Sequence, residues 1–115
     1  VDLQMQHLGG EVVGGVRVVV RQVDAAQKEL VALAMTVSGE GGVALFASGD
    51  GNVKVVAASG APSVNAADIV REVCSVLGGK GGGKSTLAQG AGSDVSRLEE
   101  ALERGRREIV EALHG

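Results

Sequence analysis

Tryptophan and tyrosine are missing from this 115-residue chain, and phenylalanine, cysteine and proline occur once each. A core must therefore be assembled from Val, Leu and Ala, and for stacking bases on aromatic rings the chain has only Phe46, which is expected in that core. The lone Cys74 excludes an internal disulfide, and two histidines with one cysteine cannot supply a four-ligand zinc site. Secreted disulfide scaffolds and zinc modules drop out, and a reducing compartment is expected. Uninterrupted apolar runs such as Val18 to Val20 and Val43 to Ala47 fall far short of the roughly 18 residues that span a bilayer. With no signal-peptide pattern visible either, a cytoplasmic location is expected and no membrane partner.

What is present describes one small globular domain, with 44% hydrophobic and 22% charged residues. The chain opens on Val1 rather than Met, which leads us to expect a fragment of a longer chain or a processed product. Val16 to Val20 (VRVVV) is β-branched almost throughout and reads as a strand, with Gly14-Gly15 punctuating it. Asp24 stands three residues before Gln27 like a capping box, and Leu30, Leu33, Ala34 and Val37 then follow at helical spacing until Gly39. VALFAS (Val43 to Ser48) and VKVVAA (Val53 to Ala58) flank an Asp50-Gly51 turn and predict two antiparallel strands. Asn65 is placed to cap a helix whose apolar stripe is Ala66, Ile69, Val70, Val73, Val76 and Leu77.

Beyond that helix, the glycine-rich segment Gly78 to Gly92 offers a short strand at Leu87-Ala88. A last helix, capped by Ser93 or Asp94, carries Leu98, Ala101, Leu102, Ile109 and Leu113 on one face. In it Glu100 and Arg104, and Glu103 and Arg107, stand four apart as ion pairs should, and Gly105 is expected to cost about 1 kcal/mol relative to Ala. Strands alternating with helices predict an α/β (or α+β) fold, a small mixed sheet of about four to five strands packed by about three helices.

The stretch Gly78-Gly79-Lys80-Gly81-Gly82-Gly83-Lys84-Ser85-Thr86 matches the phosphate-binding pattern GxxxxGK[ST] letter for letter. That chemistry needs a buried strand before the loop and a helix directly after it, so that helix-start N–H groups face the phosphates. Here an amphipathic helix precedes the loop and LAQGAG follows it, which argues against a nucleotide-binding P-loop. The competing structural reading of the same glycines is a flexible loop or a close helix-to-sheet crossing. From Val73 to Ser93 there is no acidic residue, while Lys80 and Lys84 are both present, so the segment suits an anionic phosphate on a chain whose net charge is −3.

GGKGGGKSTLAQGAG, preceded by NAADIVREVCSVL and followed by DVSRLEEALE, resembles the DHH-associated domain at the C-terminus of alanyl-tRNA synthetases. The earlier GGVRVVVRQVDAAQKELVALA, GVALFAS and NVKVVAASG fit the same globular subdomain, so the resemblance runs from about Val12 to Leu113. It implies a single domain in which residues 1–11 are the tail of a preceding helical subdomain and residues 12–115 are globular. It also implies a noncatalytic module that touches the elbow of alanine tRNA through backbone and shape, and no DNA. Residues implied in RNA contact are Gly79, Lys80, Gly81, Gly82, Gly83, Lys84 and Ser85, with Arg104 and Arg107 as basic residues that would join them.

No catalytic residue and no metal ligand is expected in this fragment. ATP, magnesium and zinc would serve upstream domains that activate alanine and hydrolyse mischarged tRNA, and the full-length enzyme would pair as a homodimer. The family often has Arg-Pro-Asp after its triple glycine, where this chain has Lys84-Ser85-Thr86, so a bidentate arginine becomes a point charge. Related phosphoesterases place a histidine there and carry an Asp-His-His cluster that is absent here, which favours the synthetase branch. An oligomerisation module without RNA contact is the alternative reading. His7 and His114 read as surface histidines, and Cys74 as a small core residue.

Overall fold

The computed structural model describes residues 11–49 and 52–114. Strands β1 (Glu11–Val13), β2 (Val16–Gln22), β3 (Val43–Ser48), β4 (Val53–Ser59), β5 (Lys80–Gly83) and β6 (Leu87–Gly92) form one sheet. Its order is β1-β2-β3-β4-β6-β5. Helix α1 (Gln27–Gly39) links β2 to β3, α2 (Ala66–Val76) links β4 to β5, and α3 (Leu98–His114) ends the chain after a short 3₁₀ turn, Val95–Arg97. Only β2 and β3 run parallel, as the α1 crossover between them requires. The remaining neighbours are antiparallel, so the expected mixed sheet is present with six strands rather than four or five.

The two faces of the sheet bury separate cores. On one face Leu30, Ala34 and Val37 of α1 pack on Val19, Ala44, Phe46, Val56 and Ala58. On the other, Ile69, Val70, Val73 and Cys74 of α2 and Leu98, Ala101 and Ile109 of α3 pack on Val18, Val43, Leu45, Val53, Val55 and Ala57. Central strand β3 is buried along its whole length, consistent with helices on both sides of it. The predicted apolar stripe of α2 is buried from Ala66 to Leu77, and Asn65 caps that helix by accepting from Ala67 N (2.9 Å) and Asp68 N (3.3 Å).

Three sequence expectations need correction. Asp24 does not cap α1, which starts after Ala26; its carboxylate instead accepts from the Gly49 N–H (3.2 Å) at the end of β3. Arg104 does not pair with Glu100. It reaches across to Glu72 of α2 (3.0 Å), while Glu100 takes Arg97 (2.7 Å) and Glu103 takes Arg107 (3.7 Å). Gly105 is no weakness in α3 but its closest point of packing, where an added Cβ would stand 2.4 Å from Leu45 Cδ2 and 2.8 Å from Val73 Cγ2. The Asp50-Gly51 turn and His7 lie outside the described residues.

Both atoms facing Gly105 belong to fully buried side chains, so they have nowhere to retreat. Gly105→Ala should therefore destabilise the domain by about 1–3 kcal/mol in urea unfolding despite the better helix propensity of alanine. Equal or greater stability would show that α3 is not held against β3 at this point.

Candidate functional site

Gly78 closes α2 in a left-handed conformation (φ +70°), and the chain then enters β5 rather than a loop. Lys80 pairs with Ala91, Gly81 with Gly90, Gly82 with Gln89 and Gly83 with Ala88. Propensity opposes this strand; packing explains it. An added Cβ at Gly81 would lie 2.4 Å from Val70 Cγ1 and 2.8 Å from the Gly90 Cα, and one at Gly90 would lie 2.5 Å from the Cys74 sulfur. Helix α2 thus rests directly on a floor without side chains, the close helix-to-sheet crossing that was one reading of the glycines.

Gly82 differs, because nothing lies within 4 Å of the position its Cβ would take. Alternation along the strand turns Gly82 and Lys80 to the face opposite α2. The turn Lys84 to Thr86 is fastened at both ends, Ser85 O accepting from Ala66 N (2.8 Å) and Thr86 O from Ser59 N (3.0 Å). Gly79 and Ser85 therefore contribute backbone at the two ends of β5, while Lys80, Gly83, Lys84 and Ser85 are solvent-exposed or nearly so.

The letter-perfect GxxxxGK[ST] segment consequently leaves a helix, forms one strand and a turn, and leads into a second strand, with no helix directly after it. The nearest helix start is that of α2, whose N–H groups are already taken. Ala66 donates to Ser85 O, Ala67 and Asp68 to Asn65 Oδ1, and Ile69 to Asn65 O. No free N-terminal turn remains there to hold a phosphate.

Arg104 and Arg107 stand elsewhere. They line a groove between α2 and α3 with Glu72, Glu100, Glu103, Glu108 and Glu111, five carboxylates to two guanidiniums. This groove is on the α2–α3 side of the sheet, whereas Lys80 faces the α1 side. Within the groove the Glu108 carboxyl is pushed above its ordinary range, first by burial and then by Glu72, Asp68 and Glu111, and its Oε2 is buried without a hydrogen-bond partner. Cys74 is a core residue whose thiol burial pushes up, against a smaller opposing effect of a hydrogen bond from the Ala91 backbone.

Sequence reasoning passed over Lys54. Val53 and Val55 point into the α2–α3 core, so Lys54 between them faces the α1 side, and the register sets it opposite Ala91, which is opposite Lys80. The alternation in VKVVAAS signalled its face; its neighbours follow only from the order β4-β6-β5.

The DHHA1 domain family model matches residues 15–111. The chain belongs to that family. As a DHHA1 domain it is 77% identical over 115 residues to the alanine-tRNA ligase of Methanoculleus marisnigri, covering all of this chain and 13% of that protein. It is 47% identical over 113 residues to the alanine-tRNA ligase of Methanoregula boonei, covering 98% of this chain and 12% of the relative. Among solved structures, the C-Ala domain of Aquifex aeolicus alanyl-tRNA synthetase matches with a TM-score of 0.76 and 31% identity, over 92% of this chain and 98% of that one. The chain therefore spans about an eighth of the curated relatives it matches and nearly the whole of the C-Ala domain. A DHH-domain member of the s1p family shares the fold alone, with a TM-score of 0.60 at 19% identity over 92% of this chain and 28% of that one.

Two predictions follow from the geometry of this DHHA1 domain. Gly81→Ala should lower stability by about 1–3 kcal/mol, because the helix or strand must shift, while Gly82→Ala should unfold at nearly the same urea concentration as the parent. For Glu108, a folded pKa raised above the unfolded one means stability is full below the ordinary carboxylate range and is lost as pH rises through the folded value. Glu108→Gln should thus melt at a higher temperature than the parent at pH 7, and the gap should close as pH falls towards about 4.

Proposed function

We propose that this DHHA1 domain is the noncatalytic C-terminal tRNA-binding domain of an alanine-tRNA ligase and contacts the folded elbow of tRNA through backbone and shape. The parent enzyme attaches alanine to tRNA and edits mischarged tRNA with its other domains, with which this one packs. The observation that carries the reading is the separation of charge across the fold. Strands β4, β5 and β6 contain no acidic residue but hold Lys54 and Lys80, and Lys84 follows β5. None of the three lysines is ion-paired among the described residues. The acidic groove of α2 and α3 lies on the far face and repels a polyanion, so a nucleic acid is directed to the glycine strand.

Shape reading fits the composition. With no Trp or Tyr and with Phe46 fully buried, bases find no ring on which to stack, and phosphate and ribose are what remains to be bound. Arg104 is already committed to Glu72 and Arg107 to Glu103, so the proposal places the main contacts at Lys80, Lys84 and the backbone from Gly79 to Ser85. ATP, magnesium and zinc belong to the remainder of the parent enzyme. The described residues do not fit such groups here: no three His, Cys, Asp or Glu side chains gather to hold a metal, and the start of α2 has no N–H to spare.

The test is a titration of the domain with folded alanine tRNA, an unfolded RNA of equal length, and ATP, across a range of salt. Folded tRNA should bind preferentially with an affinity that falls with salt. The double variant Lys80→Glu, Lys84→Glu should weaken it at least about tenfold and flatten the salt dependence by about 1.5 in log–log slope. Equal affinity of parent and variant would remove the glycine strand as the site, and tight ATP binding would restore the nucleotide reading.

A further inference from the structure

We propose that Lys54 is an RNA-binding residue, and that Lys54, Ala91 and Lys80 form one strip across β4, β6 and β5 that grips the sugar-phosphate backbone of a folded RNA. The inference rests on the tRNA-binding reading above and extends its site from a hairpin edge to an open sheet face.

The register is the first support. Lys54 pairs with Ala91 and Ala91 with Lys80, so the three stand abreast on neighbouring strands. At a strand spacing of about 4.8 Å the two lysine Cα atoms lie roughly 10 Å apart with only a methyl group between them. All three share one face. Val53 and Val55 are in the opposite core, Gly90 abuts Cys74, and Gly81 abuts Val70, which turns Lys54, Ala91 and Lys80 away from α2.

The openness of that face is the second support. Helix α1 packs over β3 and β4, and its first residue Gln27 donates through Nε2 to Gln89 Oε1 (2.7 Å) at the border of β6. Beyond this latch Gln89 and Ala91 are exposed, and Gly82 has open space where a side chain would stand. A floor of glycine and alanine flanked by two lysines lets a polymer backbone lie flat against the sheet, with a cation on either side for its phosphates.

Charge complementarity is the third. Near the hairpin end of β3, the Asp24 carboxylate is already occupied, accepting from the Gly49 N–H (3.2 Å) and from Gln22 Nε2 (3.3 Å). Lys54 has no ion pair with any described residue, although it is partly buried and lies beside two strands free of carboxylates. Phosphates fill that role.

The experiment uses the 115-residue chain, which buries a hydrophobic core against each face of its sheet. Binding of folded alanine tRNA is measured against salt for the parent, Lys54→Gln, Lys54→Arg, Lys80→Gln and, as a control on the opposite face, Arg71→Gln. Lys54→Gln and Lys80→Gln should each weaken binding about three- to tenfold and lower the log–log salt slope by about 0.7–1, while Lys54→Arg and Arg71→Gln stay near the parent. Independently of any variant, bound tRNA should protect the Lys54 amine of the parent from acetylation, read by mass spectrometry. If Lys80→Gln weakens binding while Lys54→Gln does not, or if Lys54 acetylates equally with and without tRNA, the strip is wrong and the glycine-strand reading stands. If the parent does not bind tRNA, both fall.

Discussion

Helix α2 approaches β5 and β6 so closely that Val70 and Cys74 occupy the space where side chains of Gly81 and Gly90 would stand, and much else depends on that contact. It seats a four-residue strand of the lowest propensity at the sheet edge. It also fixes which way that strand faces. Because Gly81 must meet α2, Lys80 and Gly82 must turn to the other side, where no helix covers them. The packing constraint and the candidate binding surface are thus two faces of one strand.

A second consequence is electrical. The three helices divide unequally over the sheet, α1 on one face and α2 with α3 on the other, and the charges divide with them. The α2–α3 surface gathers carboxylates around Arg104 and Arg107, and there burial, with Glu72, Asp68 and Glu111 beside it, holds the Glu108 carboxyl above its ordinary range. The far half of the α1 face carries lysines without such neighbours. A net charge of −3 conceals this arrangement, since it averages two surfaces of opposite character.

How much of this was legible in the sequence depends on how local each feature is. The VRVVV strand, the hairpin of VALFAS and VKVVAA, the Asn65 cap and the α2 stripe were readable, because each is set by residues within one or two turns of one another. Strand β1 (Glu11–Val13) was not, being three residues long with an ambiguous approach, and it forms by pairing back on β2 through Gly14-Gly15. Strand β5 was not, since KGGG is strand only when β6 pairs with it and α2 lies on it. Asp24 misled for the same reason: its spacing to Gln27 is that of a capping box, yet its partner is Gly49, brought near by the crossover. At the candidate site Lys80 and Lys84 were visible as basic residues in an acid-free segment. The place of Lys54 beside them needed the strand order, which periodicity does not contain.

The GxxxxGK[ST] match shows why residue spacing alone does not define a phosphate site. In a P-loop the glycines free backbone N–H groups at a helix start, and the lysine adds one charge to a concentrated cradle. Here the same letters are spent otherwise. The glycines make room for a helix, β5 is paired along one edge with β6, and the start of α2 is satisfied by Ser85 O and Asn65. Lys80 and Lys84 bracket the strand at its two ends, about 13 Å apart by strand rise, rather than converging on a point. Positive charge spread over that length has little to offer a single triphosphate, whose charges sit within a few ångströms of one another. It is well matched to a polyanion, which presents its charges at intervals and gains from each one met. The same sequence pattern therefore favours opposite ligands according to whether the backbone coils around the anion or lies extended beneath it.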